Sequence, residues 1–350
     1  MARIGINGLG RIGRRLLHQI CELDDIYITT INDINTDIKN WEYLINYDSI
    51  YKEKKLFPIN VEDSDLYINS RRVKTFHEKK IHKCDWRECD LVIDSSGIFE
   101  NLNYVKELKA QGIKHLLVTN TPPNFIDSYL IFGVNHKSLD PSKHFTISTS
   151  ICDATALGPV FLHLHDHCEI LSGNVITLHP WLNYQNLMDG PSISWSKPGE
   201  IYTEYTLGRS AHQNIIPKPT SAVDAVRVVL GDIIPWNNIN SFSYRTNTSI
   251  VCSAQITFNL KRAIDKNLLH NIFENLSRNQ KDKICKISNE PLVSGDFQGE
   301  KFNFIYDERW SFISDDGKLL SLVIWYDNEE GYSSKVLDIV KYIKEKSIDA

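Results

Sequence analysis

Gly8-Leu9-Gly10-Arg11-Ile12-Gly13 lies between an apolar stretch, residues 2–7, and a segment, residues 11–23, whose apolar residues recur at helical spacing. A G-x-G-x-x-G turn between a strand and a helix is typical of a dinucleotide site. Its first glycine permits the tight turn, its second lets the backbone approach a pyrophosphate, and its third lets helix and strand pack closely. The helix N-terminus adds N–H groups and the positive end of its dipole. The stretch therefore predicts a dinucleotide-binding βαβ unit.

An acidic residue stands where such a unit needs one. Asp33 follows a second β-branched stretch, residues 26–31, and lies 20 residues after Gly13. A carboxylate at this place hydrogen-bonds the ribose of the dinucleotide. It also favours NAD over NADP, because a 2′-phosphate would meet a like charge.

The wider pattern predicts an α/β protein of two domains, since 350 residues exceed one core of ordinary size. The first half alternates short buried strands with helical segments, which is typical of a doubly wound parallel sheet. Its expected strands are residues 2–7, 26–31, 91–94, 116–119 and 144–150. The second half has longer, alternating strands, typical of a mostly antiparallel sheet with one covered face. These are residues 170–179, 240–248, 250–259, 302–306 and 319–326, with helices at 154–167, 221–230, 266–275 and 333–346.

Composition excludes several classes of protein. A hydrophobic content of 42% with 24% charged residues excludes long disorder. The 39 basic against 44 acidic residues argue against nucleic acid as the main partner. No run of 18 apolar residues predicts a membrane span, and no signal-like segment opens the chain, so we expect a cytoplasmic protein. Seven cysteines without C-x-x-C pairing fit a reducing compartment.

One cysteine and one histidine stand where catalytic groups are expected. Cys152 lies at a strand-to-helix junction, and a helix dipole there is expected to lower the pKa of the thiol. His179 ends an apolar strand and precedes a loop, where a base could reach the cysteine in space. The three histidines His163, His165 and His167 occupy two faces of a helix, so no metal site is expected.

Seven segments together resemble the glyceraldehyde-3-phosphate dehydrogenase family in order and spacing, over essentially the whole chain. They are residues 5–14, 31–33, 95–99, 133–136, 189–192, 213–217 and 325–332. The resemblance implies a Rossmann NAD-binding domain at 1–151, an α+β catalytic domain at 152–332, and a C-terminal helix at 333–350 that packs back on the first domain. It also implies a homo-oligomer, a tetramer in the family.

The resemblance assigns roles by position. Cys152 matches the nucleophile and His179 its base, and a thioester formed on the cysteine is released by inorganic phosphate. The cofactor-contacting positions are Gly8, Gly10, Arg11, Ile12, Gly13, Asp33, Ser96 and Asn328, the last holding the nicotinamide carboxamide. Arg245 matches the arginine near the substrate phosphate, and Arg209 and Thr220 match parts of the inorganic-phosphate site.

The chain departs from the family at its anion sites. Leu182 and Tyr184 stand where the family has threonines, and Ile151 replaces the serine before the cysteine. Asp153 places a negative charge beside the thiolate. The loop at 193–212 is about nine residues longer than the family pattern.

Three functions therefore remain open. The first is the phosphorylating oxidation of glyceraldehyde 3-phosphate. The second is the conversion of another aldehyde or sugar phosphate by a specialised paralogue. The third is cofactor binding without catalysis.

Overall fold

The structure, a computed structural model, describes residues 1–51, 57–192 and 205–348. The chain divides into two compact units. The first comprises Met1–Phe132, His136–Ser150 and the residues from Val336 on, and the second comprises Gly133–Asn135 and Ile151–Lys335.

The first unit is built on a nine-stranded sheet whose strand order is β3-β4-β5-β2-β1-β6-β7-β9-β8. All pairs from β5 to β8 in that order are parallel, while β3, β4 and β5 pair antiparallel at one edge. The strands are β1 (Ala2–Asn7), β2 (Ile26–Asn32), β3 (Ile59–Glu62), β4 (Asp65–Ile68), β5 (Arg71–Phe76), β6 (Leu91–Asp94), β7 (His115–Val118), β8 (Ser128–Tyr129) and β9 (Thr146–Ser148). The helices are α1 (Arg11–Cys21), α2 (Ile38–Asn46) and α3 (Val105–Ala110).

The expected parallel sheet is confirmed. The central strand β1 has four consecutive buried residues, since both neighbours are parallel strands and both faces are covered. Helix α1 buries Leu16, Leu17 and Ile20 on one side. The antiparallel strands β3 to β5 were not expected, because their short stretches mix charged and apolar residues.

The second unit holds a seven-stranded sheet of order β11-β12-β10-β13-β16-β15-β14. Its strands are β10 (Ile170–Pro180), β11 (Ile216–Lys218), β12 (Ile239–Thr246), β13 (Cys252–Leu260), β14 (Cys285–Ser288), β15 (Phe304–Ile313) and β16 (Leu319–Tyr326). The helices are α4 (Cys152–Cys168), α5 (Ala222–Leu230) and α6 (Lys266–Ser277), and α7 (Glu330–Ile348) follows β16.

The mostly antiparallel character of this sheet is confirmed, with two exceptions. Strands β10 and β12 pair in parallel, as do β14 and β15. The chain between β10 and β12 contains helix α5, and a crossover of this kind permits parallel pairing, which a tight hairpin does not. Among the helices of the described residues, none is long and apolar enough to cross a lipid bilayer.

Candidate active site

The glycine-rich turn is shaped by two close backbone approaches. Gly8 has a φ of +97°, and a Cβ there would lie 2.9 Å from the backbone of Ser96. A Cβ on Gly13 would lie 2.0 Å from the carbonyl oxygen of Gly8. Side chains are therefore excluded at both positions. Gly10, in contrast, faces open space, and no side chain caps α1 behind it. The turn thus presents an uncapped helix N-terminus beside free volume, as a pyrophosphate requires.

Asp33 lies at this turn and holds it in place. Its Oδ2 accepts a hydrogen bond from the backbone N–H of Leu9 at 2.7 Å, and its Oδ1 accepts one from Asn35 at 2.9 Å. The guanidinium of Arg11 pairs with Asp48 at 2.5 Å. The carboxylate of Asp33 is half-buried, so it can reach a ligand that lies over the turn.

Ser96 belongs to a buried polar network beneath the turn. Its hydroxyl donates to Asp94 Oδ1 at 2.6 Å, and the same carboxylate accepts bonds from Asn7 at 2.8 Å and Asn101 at 2.9 Å. Burial raises the pKa of Asp94. The network fixes the Ser96 backbone against Gly8, so the structure gives Ser96 a part in shaping the turn.

Cys152 and His179 are brought together by α4 and β10. Cys152 is the first residue of α4, and its Sγ lies 3.8 Å from His179 Nε2. His179 Nδ1 lies 3.0 Å from the carbonyl oxygen of Pro180. A carbonyl only accepts hydrogen bonds, so Nδ1 carries the proton and the neutral ring turns the lone pair of Nε2 toward the thiol.

The pKa of this thiol corrects the expectation from the helix dipole. Burial raises the pKa of Cys152 well above its ordinary value, and the neighbouring Asp153 carboxylate raises it further. Burial, followed by the charge of Arg245, lowers the pKa of His179 to about 4. Desolvation and one carboxylate act against the helix dipole, so both shifts favour the uncharged forms of the thiol and the imidazole.

Asp153 is itself a buried member of the site. Its Oδ1 accepts a hydrogen bond from the Tyr326 hydroxyl at 2.7 Å and lies 3.7 Å from Cys152 Sγ. Cys252 pairs with Tyr326 across β13 and β16, and burial raises the pKa of Cys252 well above its ordinary value. Asp153 also acts on His179, whose pKa its charge raises against the effects of burial and Arg245.

Comparisons with known proteins match both halves of the chain. The family model for the NAD-binding domain of glyceraldehyde 3-phosphate dehydrogenase matches residues 2–102, and that for its C-terminal domain matches residues 151–328. The chain belongs to the glyceraldehyde-3-phosphate dehydrogenase family. NAD is therefore confirmed as the cofactor, and the open space at Gly10 with the uncapped α1 fits its pyrophosphate.

Relatives match over nearly the whole chain. A glyceraldehyde-3-phosphate dehydrogenase of Sordaria macrospora is 32% identical, with 98% of this chain and 97% of the relative covered. Glyceraldehyde-3-phosphate dehydrogenase 1 of Bacillus subtilis is 28% identical, with 99% of each covered. A chloroplastic glyceraldehyde-3-phosphate dehydrogenase of Arabidopsis thaliana is 30% identical, with 97% of this chain and 78% of the relative covered. The chain is thus a divergent member of an enzyme family.

Of the family's anion-binding positions, Arg245 lies at the cysteine–histidine pair. It pairs with His179 in the register of β10 and β12, is buried, and donates to the Pro180 carbonyl at 3.2 Å. Among the described residues, no carboxylate lies within ion-pair distance of this guanidinium. Buried charges in proteins are normally paired, so this one fits an anionic ligand.

A pair of hydroxyl groups follows Arg245. Thr246 Oγ1 lies 2.9 Å from Thr248 Oγ1 and donates to the His179 carbonyl at 3.4 Å, and the Thr248 carbonyl accepts the Trp181 N–H at 3.2 Å. These hydroxyls therefore lie at the start of the loop that carries Leu182. The sequence analysis did not identify these two threonines. The one sequence feature that could have indicated them is their spacing, with Thr246 and Thr248 alternating directly after Arg245.

Within the described residues, no hydrogen bond or ion pair links the other two expected anion-binding residues, Arg209 and Thr220, to Cys152 or His179. Arg209 is exposed and forms an ion pair with Asp189 at 2.7 Å, and Thr220 accepts the Ala222 N–H at 3.2 Å. Leu182 and Tyr184 lie half-buried after β10, and Ile151 is the N-cap of α4 without a side-chain cap. Of the long loop at 193–212, residues 193–204 lie outside the described residues.

Asn328 is buried in the second unit and has a fixed orientation. Its Oδ1 accepts the Val251 N–H at 3.2 Å, so the NH2 end of the amide is directed away from Val251. Sequence reasoning also missed Tyr326, although it lies two residues before Asn328 in a recognised segment. A tyrosine in an alternating strand does not reveal that its hydroxyl reaches a carboxylate 173 residues away.

Proposed function

We propose that this protein oxidises glyceraldehyde 3-phosphate, or a close phosphorylated aldehyde, with NAD and inorganic phosphate, through a thioester on Cys152. The observation that carries the proposal is the Cys152–His179 contact at 3.8 Å beside a buried arginine. This arrangement combines a nucleophile, a base and an anion site. Its occurrence in a member of the glyceraldehyde-3-phosphate dehydrogenase family supports the substrate.

The resting state determines how the thiol attacks. Since the pKa of Cys152 is raised and that of His179 is lowered, the proton passes from Sγ to Nε2 as sulfur bonds to the aldehyde carbon. Asp153 supports the positive imidazolium formed in that step. The imidazolium then returns the proton to the aldehyde oxygen, which gives a neutral thiohemiacetal on Cys152.

Oxidation and release use the same histidine. NAD, when bound, supplies the hydride acceptor. His179 takes the hydroxyl proton of the thiohemiacetal as its carbon loses hydride, which leaves a thioester. A phosphate oxygen attacks that carbonyl carbon, and the C–S bond breaks to give the acyl phosphate and the Cys152 thiolate. The proton held by His179 returns to that thiolate, and the proton of the attacking phosphate leaves to solvent, so the pair ends as it began.

The binding groups follow from the same assignment. Gly8, Gly10, Arg11, Ile12 and Gly13 form the turn proposed to hold the pyrophosphate. Asp33 is proposed to bind the ribose, Asn328 the nicotinamide carboxamide, and Ser96 to contact the cofactor. Arg245 is proposed to bind the substrate phosphate, with Arg209 and Thr220 at the inorganic phosphate.

We further propose a cytoplasmic, glycolytic enzyme that forms a homotetramer. The seven free cysteines support a reducing compartment. Light scattering on the purified protein measures the assembly, and imaging of the tagged full chain measures the location.

A substrate panel tests the proposed reaction. NADH formation is followed at fixed NAD+ with glyceraldehyde 3-phosphate, unphosphorylated glyceraldehyde, a longer sugar-phosphate aldehyde and a semialdehyde, each with and without inorganic phosphate. We expect the highest kcat/KM with glyceraldehyde 3-phosphate and a dependence on inorganic phosphate. A preference for another aldehyde would support a specialised paralogue, and cofactor binding without any turnover would support a binding module.

We expect NAD+ to be preferred over NADP+ by at least about 100-fold in kcat/KM. A phosphate about 4 Å from the Asp33 carboxylate costs on the order of 4 kcal/mol at the effective dielectric of a protein surface. Asp33→Gly should reduce the preference, whereas Asp24→Asn, an exposed change of equal charge in the same unit, should not. Equal efficiency with both cofactors in the unmodified protein would refute the role of Asp33.

Restoring the hydroxyl residues that the family has at positions 182 and 151 should raise kcat/KM for glyceraldehyde 3-phosphate. With Leu182 and Ile151 in place of hydroxyl residues, two neutral hydrogen bonds of about 0.5–1.5 kcal/mol each are lost. We therefore expect kcat/KM for glyceraldehyde 3-phosphate to be about ten- to a hundredfold below that of ordinary relatives, and Leu182→Thr with Ile151→Ser to recover part of it.

Ile151→Ser should also change the stability of the fold, and this effect must be measured separately from the gain in kcat/KM. Residue 151 is the N-cap of α4, so Ile151→Ser alone should stabilise the fold by about 1 kcal/mol. Thermal unfolding of the single variants measures this contribution. An unmodified protein as efficient as its relatives, with no gain in the double variant, would mean that other groups, such as Thr246 and Thr248, bind the phosphates.

A further inference from the structure

Cys152, Asp153 and His179 also have the chemistry of a metal site. Within the described residues, they are the one set of three His, Cys, Asp or Glu side chains whose ligand atoms all lie within 4.8 Å of one another. Thiolate, carboxylate and imidazole are the three ligand types that zinc takes in proteins. The histidines of α4, His163 and His167, are not part of such a set.

Two of the three distances between the ligand atoms fit a tetrahedral ion. Zinc bonds of about 2.0–2.3 Å in tetrahedral geometry place the ligand atoms about 3.3–3.7 Å apart. Sγ of Cys152 lies 3.8 Å from His179 Nε2 and 3.7 Å from Asp153 Oδ1. Closure around an ion therefore requires shifts of only a few tenths of an ångström for these two pairs.

Hydrogen bonds already orient two of the ligands. Zinc-binding histidines donate their second ring N–H to a carbonyl or a carboxylate, as His179 Nδ1 does to Pro180. Ligating carboxylates are themselves hydrogen-bonded, as Asp153 is by the Tyr326 hydroxyl. These bonds lock the lone pair of Nε2 and the carboxylate toward the thiol.

We propose that Cys152, Asp153 and His179 bind Zn²⁺ and that the ion reversibly blocks the enzyme. Binding replaces the thiol proton, which leaves to solvent, and forms bonds from sulfur, carboxylate oxygen and Nε2 to zinc, with a fourth position for water. The ion then occupies both the sulfur and the Nε2 lone pair that catalysis needs. Metal binding stands independently of the substrate, whereas the block on turnover rests on the proposed function.

Cobalt titration of the full-length, reduced protein without NAD or aldehyde tests the site. Co²⁺ in place of zinc should give tetrahedral d–d bands and a sulfur-to-cobalt charge-transfer band, and Zn²⁺ should displace it. Cys152→Ser should remove the charge-transfer band. Asp153→Asn, which keeps the oxygen that accepts from Tyr326, should weaken binding by more than about 100-fold, since removal of even a supporting partner costs 10- to 100-fold.

Two controls locate the ion. Asp166→Asn, an exposed change beside His163 and His167 on the same helix, should leave the affinity unchanged. Cys252→Ala should leave the band unchanged. A band that survives Asp153→Asn but is lost in Cys252→Ala would overturn the proposal in favour of a two-thiolate site, and affinity lost in Asp166→Asn would place the ion on the surface of α4.

Turnover separates the two proposals. Zn²⁺ should inhibit NADH formation at the concentration at which it displaces cobalt, with recovery on adding a chelator, and Asp153→Asn should raise the inhibition constant by the same factor as the dissociation constant. An active protein without a charge-transfer band refutes the zinc site alone. A charge-transfer band in a protein without turnover on any aldehyde refutes the proposed function alone.

Discussion

Cys152→Ser is expected to reduce NADH formation by more than about 10⁴-fold, the scale seen when an enzyme loses its nucleophile. A serine hydroxyl at this position is a far weaker nucleophile than sulfur. The cofactor turn belongs to the first unit, and two glycine contacts and Asp33 hold it there, so NAD binding should survive. Steady-state turnover and calorimetric titration with NAD+ measure the two properties separately.

Cys21→Ser is the matched control for this change. Cys21 is a half-buried thiol at the end of α1, and its replacement should leave turnover intact. Near-normal turnover in the Cys152 variant would show that the thioester mechanism is wrong. Loss of NAD binding in that variant would contradict the expectation that the thiol is not needed for cofactor binding.

His179→Asn is expected to reduce kcat by about 10²- to 10⁴-fold, the range for a general base. The asparagine amide can still donate to the Pro180 carbonyl, but it has no lone pair equivalent to Nε2. Because the pKa of Cys152 is raised, the thiol depends on that lone pair to lose its proton. Single-turnover measurements with saturating aldehyde should therefore show slow chemistry with little change in substrate binding.

His167→Asn provides the comparison on the helix that carries Cys152. His167 is exposed and its Nδ1 bonds to the His163 carbonyl, so this change should leave kcat unaltered. A His179 variant with the kcat of the unmodified protein would remove the histidine from the mechanism and leave another group as the base.

Asp153, which departs from the family pattern, has a role both in the proposed catalysis and in the proposed zinc site. Beside the thiol it raises the pKa of Cys152, and beside His179 it favours the imidazolium. One carboxylate therefore opposes a free thiolate at rest while it supports the imidazolium that forms as sulfur attacks. Tyr326 holds that carboxylate, which makes the hydroxyl a positioning group of the site.

The sequence by itself determined the elements whose signal is local. Strands β1, β6 and β16 have the expected bounds, because a continuous or alternating apolar run needs no partner to be recognised. Short elements with mixed composition, such as α2 and β3, gave no such signal. The glycine turn was local as a motif, since its three glycines lie between one strand and the helix that follows it. Gly13 is required by its approach to Gly8 within that motif, whereas Gly8 is required by an approach to Ser96 that only the folded sheet creates.

Only the tertiary structure decided the chemistry of the cysteine–histidine pair. A helix N-terminus predicts an acidic thiol, but burial and a carboxylate brought against it reverse the direction of the pKa shift. The Tyr326 hydroxyl reaches Asp153 from another strand, and Arg245 reaches the Pro180 carbonyl through the parallel register of β10 and β12. Desolvation and long-range hydrogen bonds depend on which distant residues meet in the folded chain, and no local pattern in the sequence encodes them.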